Sequence, residues 1–359
     1  MRVLHFIPDI GISNGVMSVI LNYASAMLDD IKFDVVYFQK TGQTKKAQIE
    51  SLGGEVFCVN SPLSKKSFIL SFAKLLKDHK GRWQAMHIHV PYYSCLIVPL
   101  ARKYGIKKVC CHCHTNSFSL IGKLGWLFKI MNLPTNVIVK KRFACSRAAG
   151  AVWYGKKARY EVINNAIFCE RYRFDAQRRE EVRKKLNCDN LTVIGHVGTG
   201  KLEQKNHEFL FKVFREFLNT NSNSLLLLIG AEKDERLLSM CKNLGIQDKV
   251  VFLGLRNDVP DLLQAIDVFV FPSIKEGLPV AVIEAQASGL PILMSDTVTD
   301  ECIVTDLVHT LSLNESPKKW AELCRDLSDR KRKDTCTKME AVGWNIHNEA
   351  KKLADYYLK

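Results

Sequence analysis

A chain of 359 residues with 47% hydrophobic and 25% charged residues has the composition of a globular protein. Its length suits two domains of about 150 to 200 residues, each able to bury a substantial core. No stretch approaches the roughly 20 uninterrupted apolar residues of a membrane span, and Met1–Pro8 carries an early charge and a proline where a secretory leader needs a long apolar run. The net charge of +15 is one-sided: residues 1–165 hold 24 Lys and Arg against 8 Asp and Glu, residues 166–359 hold 28 against 29. A basic half of this kind points to nucleic acid, an anionic membrane surface or a polyanionic ligand. The twelve cysteines lie singly or inside apolar runs, without the spacing of a disulfide framework, which suits a reducing cytosol. The chain is therefore expected to be soluble and cytoplasmic.

The first half alternates a strand over Val3–Pro8, a helix over Val16–Leu28, a strand over Phe33–Phe38 and strands near Val56, Met86 and Val109. That is the pattern of a parallel sheet with crossover helices. The charged segment Tyr172–Asn190 reads as a junction. Strands over Leu191–Val197, Leu225–Gly230, Val250–Gly254, Val268–Pro272 and Ile292–Ser295 then alternate with helices over Glu208–Leu218, Glu235–Leu244, Val259–Ala265 and Pro279–Ser288. The expected class is α/β, with two doubly wound domains. Ligands of such sheets sit beyond the carboxyl ends of the strands, so the loops after Pro8, Val197, Gly230, Gly254 and Pro272 are the places to look.

The most specific segment runs from Phe271 to Pro291. Pro279 suits a first helical position, Gly289 a C-terminal cap, and Pro291 stops the helix. A strand thus opens through a short loop into a helix whose free N–H groups favour a diphosphate. Carboxylates beside such a seat repel the anion, so Glu276 and Glu284 are better read as acceptors for sugar and ribose hydroxyls. Phe271-Pro-Ser followed by Glu276-Gly277-Leu278-Pro279, then Glu284-Ala and Gly289-Leu-Pro291, resembles the signature of family 4 retaining glycosyltransferases. The likeness runs over most of the chain, and within the family it is greatest to bacterial enzymes of capsular and extracellular polysaccharide synthesis. It implies the GT-B fold, two Rossmann-like domains facing across a cleft. The implied division is a basic acceptor domain over 1–165, a nucleotide-sugar donor domain over 166–340, and a final helix within 341–359 that returns to the first domain. It also implies that Glu276 contacts the donor sugar and that Glu284 holds the ribose, with Gly277, Leu278 and Pro279 lining the donor.

The loop Gly195 to His207 admits two readings. Gly195 to Lys201 fits most of the phosphate-loop pattern, yet Leu202 stands where its metal-binding hydroxyl belongs and Gly195 falls inside a strand. The resemblance instead matches Gly198 and Lys205 to a family loop of Gly-Arg and Lys that neutralises the leaving diphosphate. Thr199 stands where the arginine belongs, and one extra residue lets Lys201 be its substitute, though a lysine lacks the bidentate fork.

After the first strand, Gly15 opens a helix and lets backbone approach a ligand; Asn14 replaces the first of the family's two glycines. Cys110 to Asn116 places several metal-ligand types together, but strand alternation sends Cys111 and Cys113 to one face and Cys110, His112 and His114 to the other, against a metal site. The resemblance assigns His114 to the donor sugar and acceptor, and His87 and His89 receive no role. Phe118 to Met131, followed by Lys140, Lys141 and Arg142, mixes aliphatic, aromatic and basic residues at helical spacing, as an interfacial segment does.

The expected activity is transfer, with retention, of a hexose or N-acetylhexosamine from a nucleotide diphosphate sugar such as a UDP-sugar. The acceptor is a saccharide, lipid-linked as in many relatives. No cofactor, metal or nucleic acid is expected. An anionic membrane surface is an expected partner, with peripheral attachment on the inner face of the cell membrane. The rival classes are a phosphate-loop nucleotide hydrolase and a non-catalytic anionic-surface binder.

Overall fold

The computed structural model describes residues 1–27, 30–118, 125–199 and 203–359. They form two compact units, residues 1–166 with 343–359, and residues 167–342.

The first unit is built on β1 (Arg2–Ile7), β2 (Lys32–Tyr37), β3 (Val56–Cys58), β4 (Ala85–Ile88), β5 (Lys108–Cys113), β6 (Lys141–Ala144) and β7 (Glu161–Val162). All pairings are parallel, in the order β3-β2-β1-β4-β5-β6-β7. The helix Ile346–Leu358 belongs to this unit. Its Tyr357 hydroxyl bonds His87 Nδ1, and Lys108 Nζ donates to the Tyr357 carbonyl at 2.7 Å.

The second unit holds β8 (Thr192–Val197), β9 (Ser224–Ile229), β10 (Val250–Phe252), β11 (Val268–Phe271), β12 (Ile292–Ser295) and β13 (Val308–Leu311), parallel in the order β10-β9-β8-β11-β12-β13. Parallel strands are covered on both faces and so read as unbroken apolar runs; Ser224–Ile229, Ser-Leu-Leu-Leu-Leu-Ile, is buried at every position. Helix His207–Leu218 buries Leu210, Phe211, Val213, Phe214 and Phe217, the stripe of a 3.6-residue period, against helix Pro317–Ser328 with Trp320. Ser316 caps that second helix by accepting from Lys319 N, with Pro317 at its first position. In both sheets the strand order reverses between neighbours, β1 with β4 and β8 with β11, and a doubly wound sheet opens its crevice there.

The charged segment expected to be a junction is structural. Its helix Ala176–Lys185 belongs to the second unit, where Arg178 pairs with Asp261 and Arg179 and Arg183 pair with Asp267. Its charges clamp it to the sheet, which is why the segment lacks apolar residues.

Candidate active site

In the second unit two loops meet beside the β8/β11 reversal. The first leaves β8 at Gly198. A Cβ there would stand 2.8 Å from His196 Nε2 and 3.1 Å from Lys205 Cδ, so only glycine leaves both groups in place. Gly195 is different: it is buried within β8, and a Cβ on it would lie 2.1 Å from Ile266 Cδ1. It packs strand against loop and does not fit a phosphate-loop glycine. Lys201 lies outside the described residues. Glu203–Lys205 forms one 3₁₀ turn, and Asn206 enters the left-handed region at φ 56° before helix His207–Leu218.

The second loop leaves β11. Ile274 N donates to Gln204 O at 2.7 Å and Asn206 Nδ2 to Pro272 O at 3.2 Å, so the two loops form one surface. Lys205 Nζ stands 2.9 Å from Glu276 Oε1 and 5.0 Å above the Phe271 ring. The approach to Oε1 is close but out of hydrogen-bond alignment, and that buried oxygen has no aligned partner among the described residues. Gly277 is half-buried, Leu278 and Pro279 are buried, and helix Val280–Ala287 follows. Pro279, expected inside the helix, is its N-cap: ψ of 104° is extended, so Val280 is the first helical residue and the helix is eight residues long. Gly289 follows its end at φ 67°.

Glu284 lies on the second turn, about 6 Å of axial rise beyond Val280. The Tyr172 hydroxyl donates to its Oε1 at 2.7 Å. Burial first, then the Glu284 charge, pushes the Tyr172 hydroxyl well above its ordinary pKa, so it stays a donor. Sequence reading missed Tyr172 because it sits some 110 residues upstream in the supposed junction; an aromatic residue between charged ones was the available signal. His207, next to the lysine loop, is pushed down to about 4, chiefly by burial and then by Lys205.

In the first unit, Asn14 Oδ1 accepts from Met17 N at 3.1 Å and caps helix Gly15–Ala26. The residue in place of a family glycine thus closes a helix start. Gly15 is exposed with open space about its Cβ position, so close packing does not demand glycine there. His114, one residue past β5, has Nε2 2.8 Å from His89 Nδ1 and is pushed down to about 3, chiefly by burial.

The structure thus brings Gly198, Lys205, Glu276, Gly277, Leu278, Pro279 and Glu284 into the second unit's loop surface and its helix, while Gly15 and His114 lie on the first. Residues 177–341 match the family described as glycosyl transferases group 1. The second unit is a glycosyl transferases group 1 domain. EpsF of Bacillus subtilis (strain 168) is 29% identical to this glycosyltransferase-domain chain over 343 residues, 89% of the chain and 86% of EpsF. An Escherichia coli relative named UDP-Gal:alpha-D-GlcNAc-diphosphoundecaprenol alpha-1,3-galactosyltransferase is 26% identical over 222 residues, 57% of the chain and 55% of the relative. The crystal structure of Anabaena Alr3699/HepE in complex with UDP and glucose superimposes with a TM-score of 0.81 at 16% identity, over 99% of this chain and 98% of that one. The fold is GT-B, with its two parallel-sheet α/β units. Among the described residues no helix is long and apolar enough to cross a membrane.

Proposed function

We propose that the chain is a retaining glycosyltransferase of surface polysaccharide synthesis, moving a hexose or N-acetylhexosamine from a nucleotide diphosphate sugar, a UDP-sugar first, to a lipid-linked saccharide. The observation that carries this reading is the grouping of Lys205, Glu276 and the Tyr172-held Glu284 about one helix and its entry loop. A diphosphate at that helix start meets free N–H groups and draws Lys205 away from Glu276. Glu276, released, accepts hydrogen bonds from the donor sugar, and Glu284 accepts from the ribose. The bond from the anomeric carbon to the acceptor oxygen forms on the face from which the diphosphate departs, and the departing diphosphate takes the acceptor's proton. Lys205, Lys201 and the helix start neutralise the leaving charge, and the reaction then needs no metal. The UDP and glucose of HepE support the donor class, and the diphosphoundecaprenol acceptor in the galactosyltransferase's name supports a lipid carrier.

The first unit also suits an anionic membrane surface. Trp126 and Ile130, on helix Gly125–Asn132, are 65% and 54% exposed; Leu133 in the turn that follows and Val137 on helix Thr135–Ile138 are 71% and 86% exposed, with exposed Lys129 and Lys140 nearby. A core-facing segment buries such apolar residues; an interfacial one leaves them open. Peripheral attachment at the inner face of the membrane would bring the enzyme to a lipid-linked acceptor.

The test is release and transfer of sugar from UDP-sugars with and without chelator, with the anomeric configuration of the product read by NMR. Chelator-resistant, retaining transfer is expected. Magnesium-dependent ATP turnover would favour a nucleotide hydrolase, and no turnover of either would leave a binding protein.

A further inference from the structure

Five histidines from three strands stack at the strand reversal of the first sheet. His5 lies on β1, His87 on β4, His89 one residue past it, His112 on β5 and His114 one residue past that. Ring centroids are 4.5 Å apart for His87 and His89 and 4.1 Å for His112 and His114. Three of the rings stand in single file. His5 Nδ1 is 2.9 Å from His89 Nε2, and His89 Nδ1 is 2.8 Å from His114 Nε2, both hydrogen-bond distances. The end atoms, His5 Nε2 and His114 Nδ1, are buried without an aligned partner among the described residues. His87 stands outside the file, its Nδ1 bonded to the Tyr357 hydroxyl.

Burial holds these rings neutral: His5 and His114 are pushed down to about 3, and His87, His89 and His112 are lowered too, in each case chiefly by desolvation. A neutral imidazole carries one N–H, so a file of three with two shared bonds has two arrangements. Either every N–H points from His5 toward His114, leaving the hydrogen of His114 on Nδ1, or every N–H points back, leaving a hydrogen on His5 Nε2. Each arrangement leaves one donor and one acceptor without an aligned partner at the ends: His114 Nδ1–H and bare His5 Nε2 in the first, His5 Nε2–H and bare His114 Nδ1 in the second. Asn165, whose own Oδ1 is buried without an aligned partner among the described residues, favours the first. Its side chain lies close enough to raise the proton affinity of His114, though short of an aligned hydrogen bond. Ring nitrogens of His5, His87 and His89, and of His89, His112 and His114, lie within 4.8 Å of one another, close enough for a metal. The cavity among the rings, however, is lined by no carboxylate or thiol, and the unit is strongly basic, so a dication there would have no charge partner.

We propose that His5 and His89 are positioning residues that hold His114 in one ring orientation and in the neutral tautomer with its hydrogen on Nδ1. For catalysis this rests on the transferase reading, in which His114 faces the donor sugar; the tautomer itself does not. A neutral histidine in water prefers the Nε2–H form, so the file imposes a choice the free side chain would not make.

The test is two-bond ¹H–¹⁵N correlation on histidine-labelled protein, which reads the tautomer of each ring, together with donor kinetics. The parent should show His114 as a single Nδ1–H species. His89→Phe keeps the stack but cuts both links; it should give mixed or Nε2–H His114 and lower kcat at least tenfold, with the donor KM within threefold. His89→Asn, whose amide N–H takes the place of Nδ1–H, should restore the tautomer and most of the rate. Should His89→Phe not fold, His5→Phe cuts only the distal link and should loosen the His114 tautomer while the melting temperature remains measurable. Nε2–H His114 in the parent, an unchanged tautomer in the folded phenylalanine variants, or stoichiometric Zn²⁺ bound by the parent and lost in His89→Phe would overturn the proposal. The tautomer is read without donor, so a parent inactive on every nucleotide sugar would count against the transfer reading alone.

Discussion

Glu276→Gln is expected to tighten nucleotide binding while nearly abolishing transfer. Lys205 Nζ is 2.9 Å from Glu276 Oε1, with the two side chains only 14% and 11% exposed, and that pair has to open before a diphosphate can take the lysine. An aligned hydrogen bond to a charged group is worth about 1.5–3 kcal/mol net and a neutral one about 0.5–1.5, which bounds this close but unaligned pair from above. The difference, at most about 1 to 1.5 kcal/mol, is returned to the ligand and corresponds to at most about tenfold in affinity. The opposite effect falls on the chemical step, where loss of one transition-state contact typically costs about 2.7–4 kcal/mol, about 10² to 10³ in rate. Calorimetric titration with UDP and initial rates of transfer measure the two separately. Lys205→Ala serves as the control and should weaken UDP far more than uridine, since only UDP carries the charge. UDP affinity that is unchanged or weaker in Glu276→Gln, or transfer within threefold of the parent, would refute the exchange of Lys205 between carboxylate and diphosphate.

Tyr172→Phe removes the hydrogen bond that orients Glu284 and should weaken UDP by about 0.5–1.5 kcal/mol, while Glu284→Ala should cost about 1.5–3; calorimetry showing no loss in Glu284→Ala would remove both from the site. His5 has a folded-state pKa of about 3 against 6.5 unfolded, so the unfolded chain binds the extra proton and stability falls as pH drops from 6.5 toward 3, by at most about 1.4 kcal/mol per pH unit from this group. Urea unfolding at several pH values should give a shallower acid slope for His5→Phe than for the parent. Replacing Lys129 and Lys140 by Gln and Trp126 and Leu133 by Ser should abolish co-sedimentation with anionic vesicles while donor hydrolysis stays near that of the parent; binding that persists in high salt would point away from electrostatic docking. Lys141 and Arg142 are poor choices for that test. The first is paired with Glu161, and the second donates to the carbonyls of Asn136, Val139 and Arg159.

Five of the six described strands of the second sheet could be read from the sequence to within two residues because buried parallel strands are continuous apolar runs between glycine and proline: β9 reads as Leu225–Gly230 and spans Ser224–Ile229. The edge strand β13 was not read, for its Val308–Leu311 is only partly buried and mixes His and Thr with two apolar residues. The loop bearing Glu276 was legible for a similar reason, since Pro279, Gly289 and Pro291 act on their own backbone. Contacts between distant segments were not legible. His5, His89 and His114 are separated by 84 and 25 residues, and alternation along one strand says which face a ring takes but not which strand lies beside it. The repeated His-x-His at 87–89 and 112–114 was the available hint. Tyr172 and the arginine clamps on Asp261 and Asp267 were hidden likewise, because a charged run looks the same whether it is solvated or paired across the fold.

The first unit takes its last helix from residues 346–358, beyond the whole of the second. During synthesis the second unit is available to fold as soon as residue 342 clears the ribosome, whereas the first waits with its histidine face uncovered until residues 346–358 follow. Tyr357, which closes over His87, arrives 270 residues after it. Truncation after residue 356 would remove that hydroxyl along with the backbone carbonyl that Lys108 grips, so a nonsense codon that spares the whole group 1 domain would still leave the first unit open at its centre.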